Sequence, residues 1–333
     1  VDLIRFNWRR ESANPIVPLG SAGAVNTHAC MTPVVIPRGD EYWLYFAGGD
    51  ADNRRRVCLA KAPKDRPTEF THVGPILDLG GRDDFDARWM VCPRPFQVAD
   101  KWYMIYTGLP ESGWSEGLSN SIKGLGMAES DDGLNWRKLG MNPTLTGDQF
   151  PQYPGNSSIG GGGPPVYVDD AGQPHHRLYC SLPVGRPSDD LRIDQEKLAM
   201  VGHAADGRTW GDYRIIMRRR EELTREDCAS NYPVVWRDGD LFRCLYCSIG
   251  TRWGAYSISE AVSADGYHWD RGAGGDDNLS IAPTEDDSWE GQMTCYPTLV
   301  REGRQMRVYY NGNGYGKTGI GTAVADLPAD DEG

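Results

Sequence analysis

A proline followed by apolar residues recurs five times, at Pro33-Val-Val-Ile, Pro93-Arg-Pro-Phe, Pro165-Val-Tyr-Val, Pro233-Val-Val-Trp and Pro297-Thr-Leu-Val, with about 60 to 70 residues between copies. A repeat of this period constrains the fold more than any other feature, because each copy is one supersecondary unit that must bury its apolar face against the next. After a polar turn each copy continues into an aromatic strand, at 42–46, 102–106, 177–181, 241–246 and 307–310, and then into a third strand at 56–60, 124–129, 197–203, 256–263 and 319–325. Period-2 apolar patterning of this kind predicts strands.

The third strand runs three times into one small motif: SDDGLNW at 130–136, AADGRTW at 204–210 and SADGYHW at 263–269. Aspartate bonds its own backbone at such a turn, glycine accepts positive φ, and the tryptophan is expected to open a fourth strand and pack between units. Near the N-terminus, FNWRR at 6–10 with Asn14-Pro15 matches LNWRK at 134–138 with Asn142-Pro143, so the chain opens on a fourth strand that lacks its first three. The last copy stops after three strands. The expected architecture is therefore all-β: a five-bladed β-propeller with four antiparallel strands per blade, the N-terminal strand completing the last blade, and 1–333 forming a single domain with no open sheet edge. A barrel or a pair of sandwiches would accommodate the alternation but not a repeat of this length.

With 39% hydrophobic and 25% charged residues, the chain has no apolar run of the roughly 18 residues that span a bilayer, and no membrane partner is expected. The sequence as it stands shows no N-terminal segment of signal type. A net charge of −12 argues against a nucleic-acid backbone and favours a neutral or cationic small ligand. The eight cysteines fall mainly in or beside strands, as Cys58, Cys180, Cys244 and Cys247 do, which suits reduced buried residues and a cytoplasmic setting. Cys244 and Cys247 are three apart in a strand, so their sulfurs should face opposite ways rather than share a metal.

In a propeller the segments leading into the innermost strands converge on a central funnel. Seven residues before each proline stand Asn26, Asp86, Ser158, Glu226 and Glu290; five before stand His28, Arg88, Gly160, Cys228 and Gln292; immediately before stand Thr32, Cys92, Pro164, Tyr232 and Tyr296. Three carboxylates at one register, Asp86, Glu226 and Glu290, suit acid/base work or a grip on sugar hydroxyls. They would equally serve as turn caps or rim ion pairs. Asp86 and Glu290 are the expected acid/base partners, with Glu226 the third member. His28, Arg88 and Gln292 would orient hydroxyls, alongside Thr32, Asn231, Asn311, Asn313 and Tyr315. Trp89, Trp289, Tyr232 and Tyr296 are candidates for stacking on a sugar ring. The glycines 160–163 lack the Lys-Ser/Thr of a phosphate loop and point to close backbone packing.

These repeats, the Ser-x-Asp-Gly-x-x-Trp motifs and the phrase PTLVREGRQMRVYYNGNGYG resemble the five-bladed propeller glycosidases, the superfamily of glycoside hydrolase families 43, 32, 62, 117 and 130. The resemblance covers almost the whole chain. It implies hydrolysis or phosphorolysis of a glycosidic bond in an axial pocket by acids of the first three blades, and in some members a calcium ion on the axis. Where those families place acids, this chain has Thr32 before Pro33, Val91-Cys92-Pro93, and Ser157 and Ser158 with the glycines. The expected function is a glycoside hydrolase acting on a small or terminal glycoside without a cofactor, through Asp86, Glu290 and Glu226. The alternatives are a non-catalytic sugar-binding propeller and a sugar-modifying enzyme of another reaction type.

Overall fold

The computed structural model describes residues 5–112, 124–153, 158–170, 172–185 and 195–327; Ser157 lies outside them. Twenty strands dominate these residues, with a 3-10 turn at Gly147–Gln149 and a short helical turn at Asn313–Gly316. The all-β expectation holds.

Strand β1 (Arg9–Arg10) opens the chain. The first proline strand, β2 (Ala29–Arg38), pairs antiparallel with β3 (Glu41–Gly49), which pairs with β4 (Arg55–Pro63) and that with β5 (Thr71–Leu77). The order returns in β6 (Trp89–Val98), β7 (Lys101–Leu109), β8 (Gly124–Ser130) and β9 (Arg137–Lys138). It returns again in β10 (Val166–Asp170), β11 (Gln173–Gly185), β12 (Gln195–Ala204) and β13 (Gly211–Met217). A fourth group holds β14 (Ala229–Asp238), β15 (Leu241–Ile249), β16 (Tyr256–Ser263) and β17 (Leu279–Ile281). In the fifth, β18 (Cys295–Glu302), β19 (Gln305–Asn311) and β20 (Ile320–Asp326) are followed not by a later strand but by β1, with Arg9 opposite Val324 and Arg10 opposite Ala323. These groups are units 1 to 5, in the order of their proline strands. Single parallel residue pairs, Arg55 with Trp89 and Lys197 with Ala229, join unit 1 to unit 2 and unit 3 to unit 4. β2 lies against both β6 and β18, and β14 against β11 and β18.

The Asp-Gly turns form as their residue types require. Asp132 Oδ1 accepts the amides of Leu134 and Asn135, both at 2.8 Å, and Asp265 Oδ1 accepts those of Tyr267 and His268, also at 2.8 Å. Gly133, Gly207 and Gly266 take φ of 73°, 67° and 77°, a region that glycine enters without a steric penalty. Each tryptophan then reaches the preceding unit: Trp136 meets Tyr45 edge-on at 6.3 Å, Trp210 meets Phe96 at 6.4 Å and Trp269 meets Tyr179 at 6.3 Å. Such ring pairs contribute about 0.5–1.5 kcal/mol beyond the area they bury. The N-terminal match also holds in detail, since Asn14 brackets Thr322 of β20 with two hydrogen bonds just as Asn142 brackets Met127 of β8.

All eight cysteines are buried thiols. Cys244 packs with Tyr179 and Val235, whereas Cys247 packs with Cys92 and Cys295, so the two face opposite sides of β15. No helix of the described residues is long and apolar enough to cross a membrane.

Candidate functional site

The residue before the proline is backbone-strained in four units. Thr32, Cys92, Tyr232 and Tyr296 take φ of 52°, 54°, 53° and 56°. Each lies where the register between the first two strands shifts. A β-branched or bulky side chain at positive φ costs about 1–3 kcal/mol and persists only where its surroundings hold it. Hydrogen bonds from neighbouring units do so here. Asn311 Oδ1 accepts the Thr32 amide at 2.7 Å, Thr32 Oγ1 the Cys92 amide at 2.9 Å, Ser181 Oγ the Tyr232 amide at 2.9 Å, and Cys247 Sγ the Tyr296 amide at 3.2 Å. The fifth position is Pro164, which has no N–H to offer. Thr107 stands 14 residues after its proline, as Cys247 and Asn311 do. Its buried hydroxyl has no partner among the described residues.

The four strained side chains meet at a cavity of about 350 Å³, a volume suited to a small ligand. Trp89, Tyr256 and Tyr315 add aromatic wall, and His28, Asn53, Arg55, Thr107, Ser181, Asn231 and Lys317 add polar groups. Gly160 and Gly161 complete the wall of unit 3. A Cβ on Gly161 would sit 2.4 Å from Cys92 Sγ, and one on Gly162 would sit 2.2 Å from the Tyr179 carbonyl, so the glycine run is there for close packing. Burial pulls the Arg55 guanidinium down to about 10, which leaves it charged at neutral pH. His28 is held below its usual value by desolvation and then by Lys317 and Arg55. Burial raises Tyr232 and Tyr296 well above the ordinary phenol value.

The three carboxylates do not line this cavity. Each is buried and engaged by a tyrosine 20 residues on and by a cation two residues after a tryptophan. Asp86 accepts Tyr106 Oη at 2.8 Å and pairs with Lys138 Nζ at 2.7 Å. Glu290 accepts Tyr310 Oη at 2.8 Å and Arg10 Nε at 2.9 Å. Glu226 accepts Tyr246 Oη at 2.9 Å, Ser230 Oγ at 2.7 Å and Arg271 Nη1 at 2.6 Å, with Arg225 Nη1 at 3.4 Å. Burial, then the neighbouring carboxylate, pushes each of these phenols up, so the tyrosine is the donor.

Of the other residues singled out from the sequence, His28, Thr32, Trp89, Asn231, Tyr232, Tyr296 and Tyr315 line the cavity. Four do not. Arg88 reaches Glu111 and the Asp52 carbonyl. Asn311 is spent on the Thr32 amide and the carbonyls of Cys30 and Gly319. Asn313 accepts the amides of Gln292 and Met293, and the Gln292 side chain stays outside the cavity wall. Trp289 is also elsewhere: it fills the space over Gly312 and Gly321 and packs on Tyr310 at 5.4 Å. Asn53, Arg55 and Lys317 carry no signal at the registers leading into the proline strands, because Asn53 and Lys317 sit in links between second and third strands and Arg55 is the first residue of β4. Their signal was the NRRR run at 53–56 and the lysine of GYGK at 314–317.

Among the described residues no three His, Cys, Asp or Glu side chains converge to hold a metal ion. The charged groups at the cavity are cationic. These residues do not fit a calcium ion there.

No family model matches the chain. Uncharacterized proteins from two strains of Mycobacterium tuberculosis are 27% identical to it over 327 residues, covering 96% of this chain and 99% of each relative. Among solved structures, a glycoside hydrolase superposes with a TM-score of 0.70 at 15% identity over 99% of this chain and 94% of its own. A β-1,2-mannobiose phosphorylase from Listeria innocua, in complex with β-1,2-mannobiose, gives 0.68 at 12% identity over 96% and 97% of the two chains. An α-L-arabinofuranosidase from Podospora anserina, in complex with cellotriose, gives 0.64 at 13% identity over 97% and 98%. At these identities the likeness is one of fold, and in fold the chain is similar to the propeller glycoside hydrolases that its repeats resemble.

Proposed function

We propose that the five units are the blades of one five-bladed ring and that the cavity between them takes a small sugar, making the protein a carbohydrate-active enzyme. The observation that carries this reading is the cavity wall itself, which sets tyrosines and a tryptophan beside amide, hydroxyl and imidazole groups in a space of about 350 Å³. Flat rings stack on a sugar's apolar face while polar groups take its hydroxyls. The likeness in fold to hydrolases and phosphorylases that act on glycosides supports the same reading. Within it, Asp86, Glu226 and Glu290 are struts between strands, and His28 is the proton-transfer group. Its lowered pKa keeps the imidazole neutral at pH 7, as a general base requires. The second reading, acid/base hydrolysis by Asp86 and Glu290, is favoured by the hydrolase fold and opposed by the pairing of both carboxylates.

The test combines turnover of a panel of aryl glycosides with sugar binding followed by intrinsic fluorescence. Tyr315, 44% exposed at the cavity, is changed to Ala, His28 to Gln, Asp86 to Asn and Glu290 to Gln. Tyr315→Ala should weaken binding about tenfold or more. His28→Gln should lower turnover about a hundredfold with little change in binding. Wild-type turnover should rise with pH through a value below 6.5 and then level off, because the base works unprotonated. A hundredfold loss in folded Asp86→Asn or Glu290→Gln would instead establish the carboxylate reading. Saturable binding without turnover would make the protein a sugar-binding propeller.

A further inference from the structure

Three consecutive arginines lead into the third strand of unit 1, Arg54 just before β4 and Arg55 and Arg56 as its first two residues. Arg54 pairs with Glu111 at 3.9 Å, and Arg56 pairs with Asp50 at 2.9 Å and Asp78 at 3.1 Å. Arg55 between them has no carboxylate partner among the described residues. Its guanidinium lies 4.0 Å over Trp89, its Nε donates to Asn53 Oδ1 at 3.0 Å, and it faces the cavity. Lys317 stands at the same cavity without an ion pair among the described residues, and no described Asp or Glu lines it, although the chain carries a net charge of −12. Deeper still is Arg94, wholly buried, with none of its three side-chain nitrogens hydrogen-bonded among the described residues. The groups that act on it include Cys92 and Tyr232, which belong to the cavity lining.

Resting on the sugar reading above, we propose that the ligand is an acidic sugar, one whose ring carries a carboxylate or a phosphate, with Arg55 as the anchor for the oxyanion. Unpaired cations in a desolvated place are costly, and an oxyanion offsets that cost by direct pairing. A guanidinium presents a planar fork that matches a carboxylate or phosphate, and its stacking on Trp89 fixes the plane of that fork. The cavity wall also holds polar atoms that the protein leaves without partners among its described residues. Thr107 Oγ1, Asn231 Oδ1 and the Tyr232 hydroxyl all belong to residues at most 4% exposed, all line the cavity, and none has a hydrogen-bond partner among the described residues. Thr107 is open for a reason: the amide that its register would serve belongs to Pro164. Net charge, read over the whole chain, favours a neutral or cationic ligand, whereas the local sign at the cavity is the opposite. The local sign governs a buried contact, since charges more than a Debye length away are screened.

Calorimetric titration of the full chain tests this with methyl glycosides of glucose, galactose and mannose, their uronates, their 6-phosphates and inorganic phosphate. At least one acidic sugar should bind about tenfold or more tighter than its neutral parent. That preference should shrink with added salt and disappear in Arg55→Gln. Lys317→Gln, an exposed position where misfolding is not at issue, should reduce it severalfold. A neutral sugar that binds as tightly as its acidic counterpart overturns this inference and leaves the sugar reading standing. Inorganic phosphate that binds as tightly as every sugar phosphate shows an anion site without sugar recognition and also overturns it. No binding by any sugar sinks both.

Discussion

Units 2, 4 and 5 differ from units 1 and 3 at one buried position, and the difference separates architecture from chemistry. In the former group a carboxylate, a tyrosine 20 residues on and a lysine or arginine two residues after a tryptophan come together: Asp86, Tyr106 and Lys138; Glu226, Tyr246 and Arg271; Glu290, Tyr310 and Arg10. In units 1 and 3 the same two registers hold Asn26 with Phe46 and Ser158 with Leu178. Asp212, two residues after Trp210 in unit 3, faces outward to Arg214 at 3.0 Å instead. The trio is thus present whole or absent whole. A residue selected for acid/base work would not need to bring a tyrosine and a cation with it in three units, whereas a buried charge that holds strands together would, because removing any one member strands the others.

The largest effect should come from the most heavily paired carboxylate. Glu226→Ala leaves Arg225 and Arg271 without their shared anion, and chemical denaturation should register a loss of about 3–5 kcal/mol. Asn26→Ala in unit 1 removes one contact, from Nδ2 to Cys30 Sγ at 3.2 Å, and should cost about 1 kcal/mol. Equal losses would break the comparison.

Converting one unit into the other kind sharpens it. Asp86→Ala alone should cost about 3 kcal/mol, because Lys138 and the Tyr106 hydroxyl lose their partner. The triple variant Asp86→Asn, Tyr106→Phe, Lys138→Met rebuilds unit 2 on the pattern of unit 1, and should lie within about 1 kcal/mol of wild type, as replacements of whole buried ion pairs often do. A triple variant less stable than the single one would show that the trio does something the apolar version cannot. Turnover in the triple variant is the complementary measurement, and the strut reading expects it to persist.

The repeat, the order of strands and the Asp-Gly-x-x-Trp turns were legible in the sequence because each is a local pattern: period-2 apolarity, a turn that only certain residues make, a tryptophan at fixed offset. The register of Asp86, Glu226 and Glu290 was legible too, but not their direction, because residues leading into an inner strand face either the axis or the neighbouring strands of their own unit. Two spacings carried that information, the 20 residues to a tyrosine and the Trp-x-Lys/Arg at 136–138, 269–271 and 8–10. The cavity was half legible. His28, Thr32, Trp89, Asn231, Tyr232 and Tyr296 belong to the aligned approaches to the proline strands and Tyr315 to the glycine-rich phrase of unit 5, whereas Asn53 and Lys317 come from links of unequal length that no alignment brings to one column and Arg55 from the first residue of β4. The open hydroxyl of Thr107 could be seen only once its missing partner, the amide absent from Pro164, was known.

The smallest effect falls on a feature that crosses the division between units. The Asp-Gly turn occurs in unit 3, which lacks the trio, as well as in units 2 and 4, so turn and trio are independent devices. Asp132 is held well below its ordinary value of 3.8 by the amides of Asn135 and Leu134. A carboxylate depressed in the folded state contributes stability above its unfolded value and loses that contribution as pH falls through the folded one. Asp206 in unit 3 is also lowered, the amides of Thr209 and Arg208 outweighing the opposing effect of its burial. Asp132→Asn and Asp206→Asn keep a side-chain acceptor for the turn and remove only the charge, so each should cost no more than about 0.5 kcal/mol at pH 7 at these exposed sites. Both differences should shrink as pH falls below 3.8, where the unfolded carboxyl takes up its proton while the folded one stays charged, and vanish only below the depressed folded value. The two variants should behave alike. If Asp132→Asn were markedly worse than Asp206→Asn, turn and trio would be coupled in unit 2, and the division between a shared turn and an optional strut would have to be redrawn.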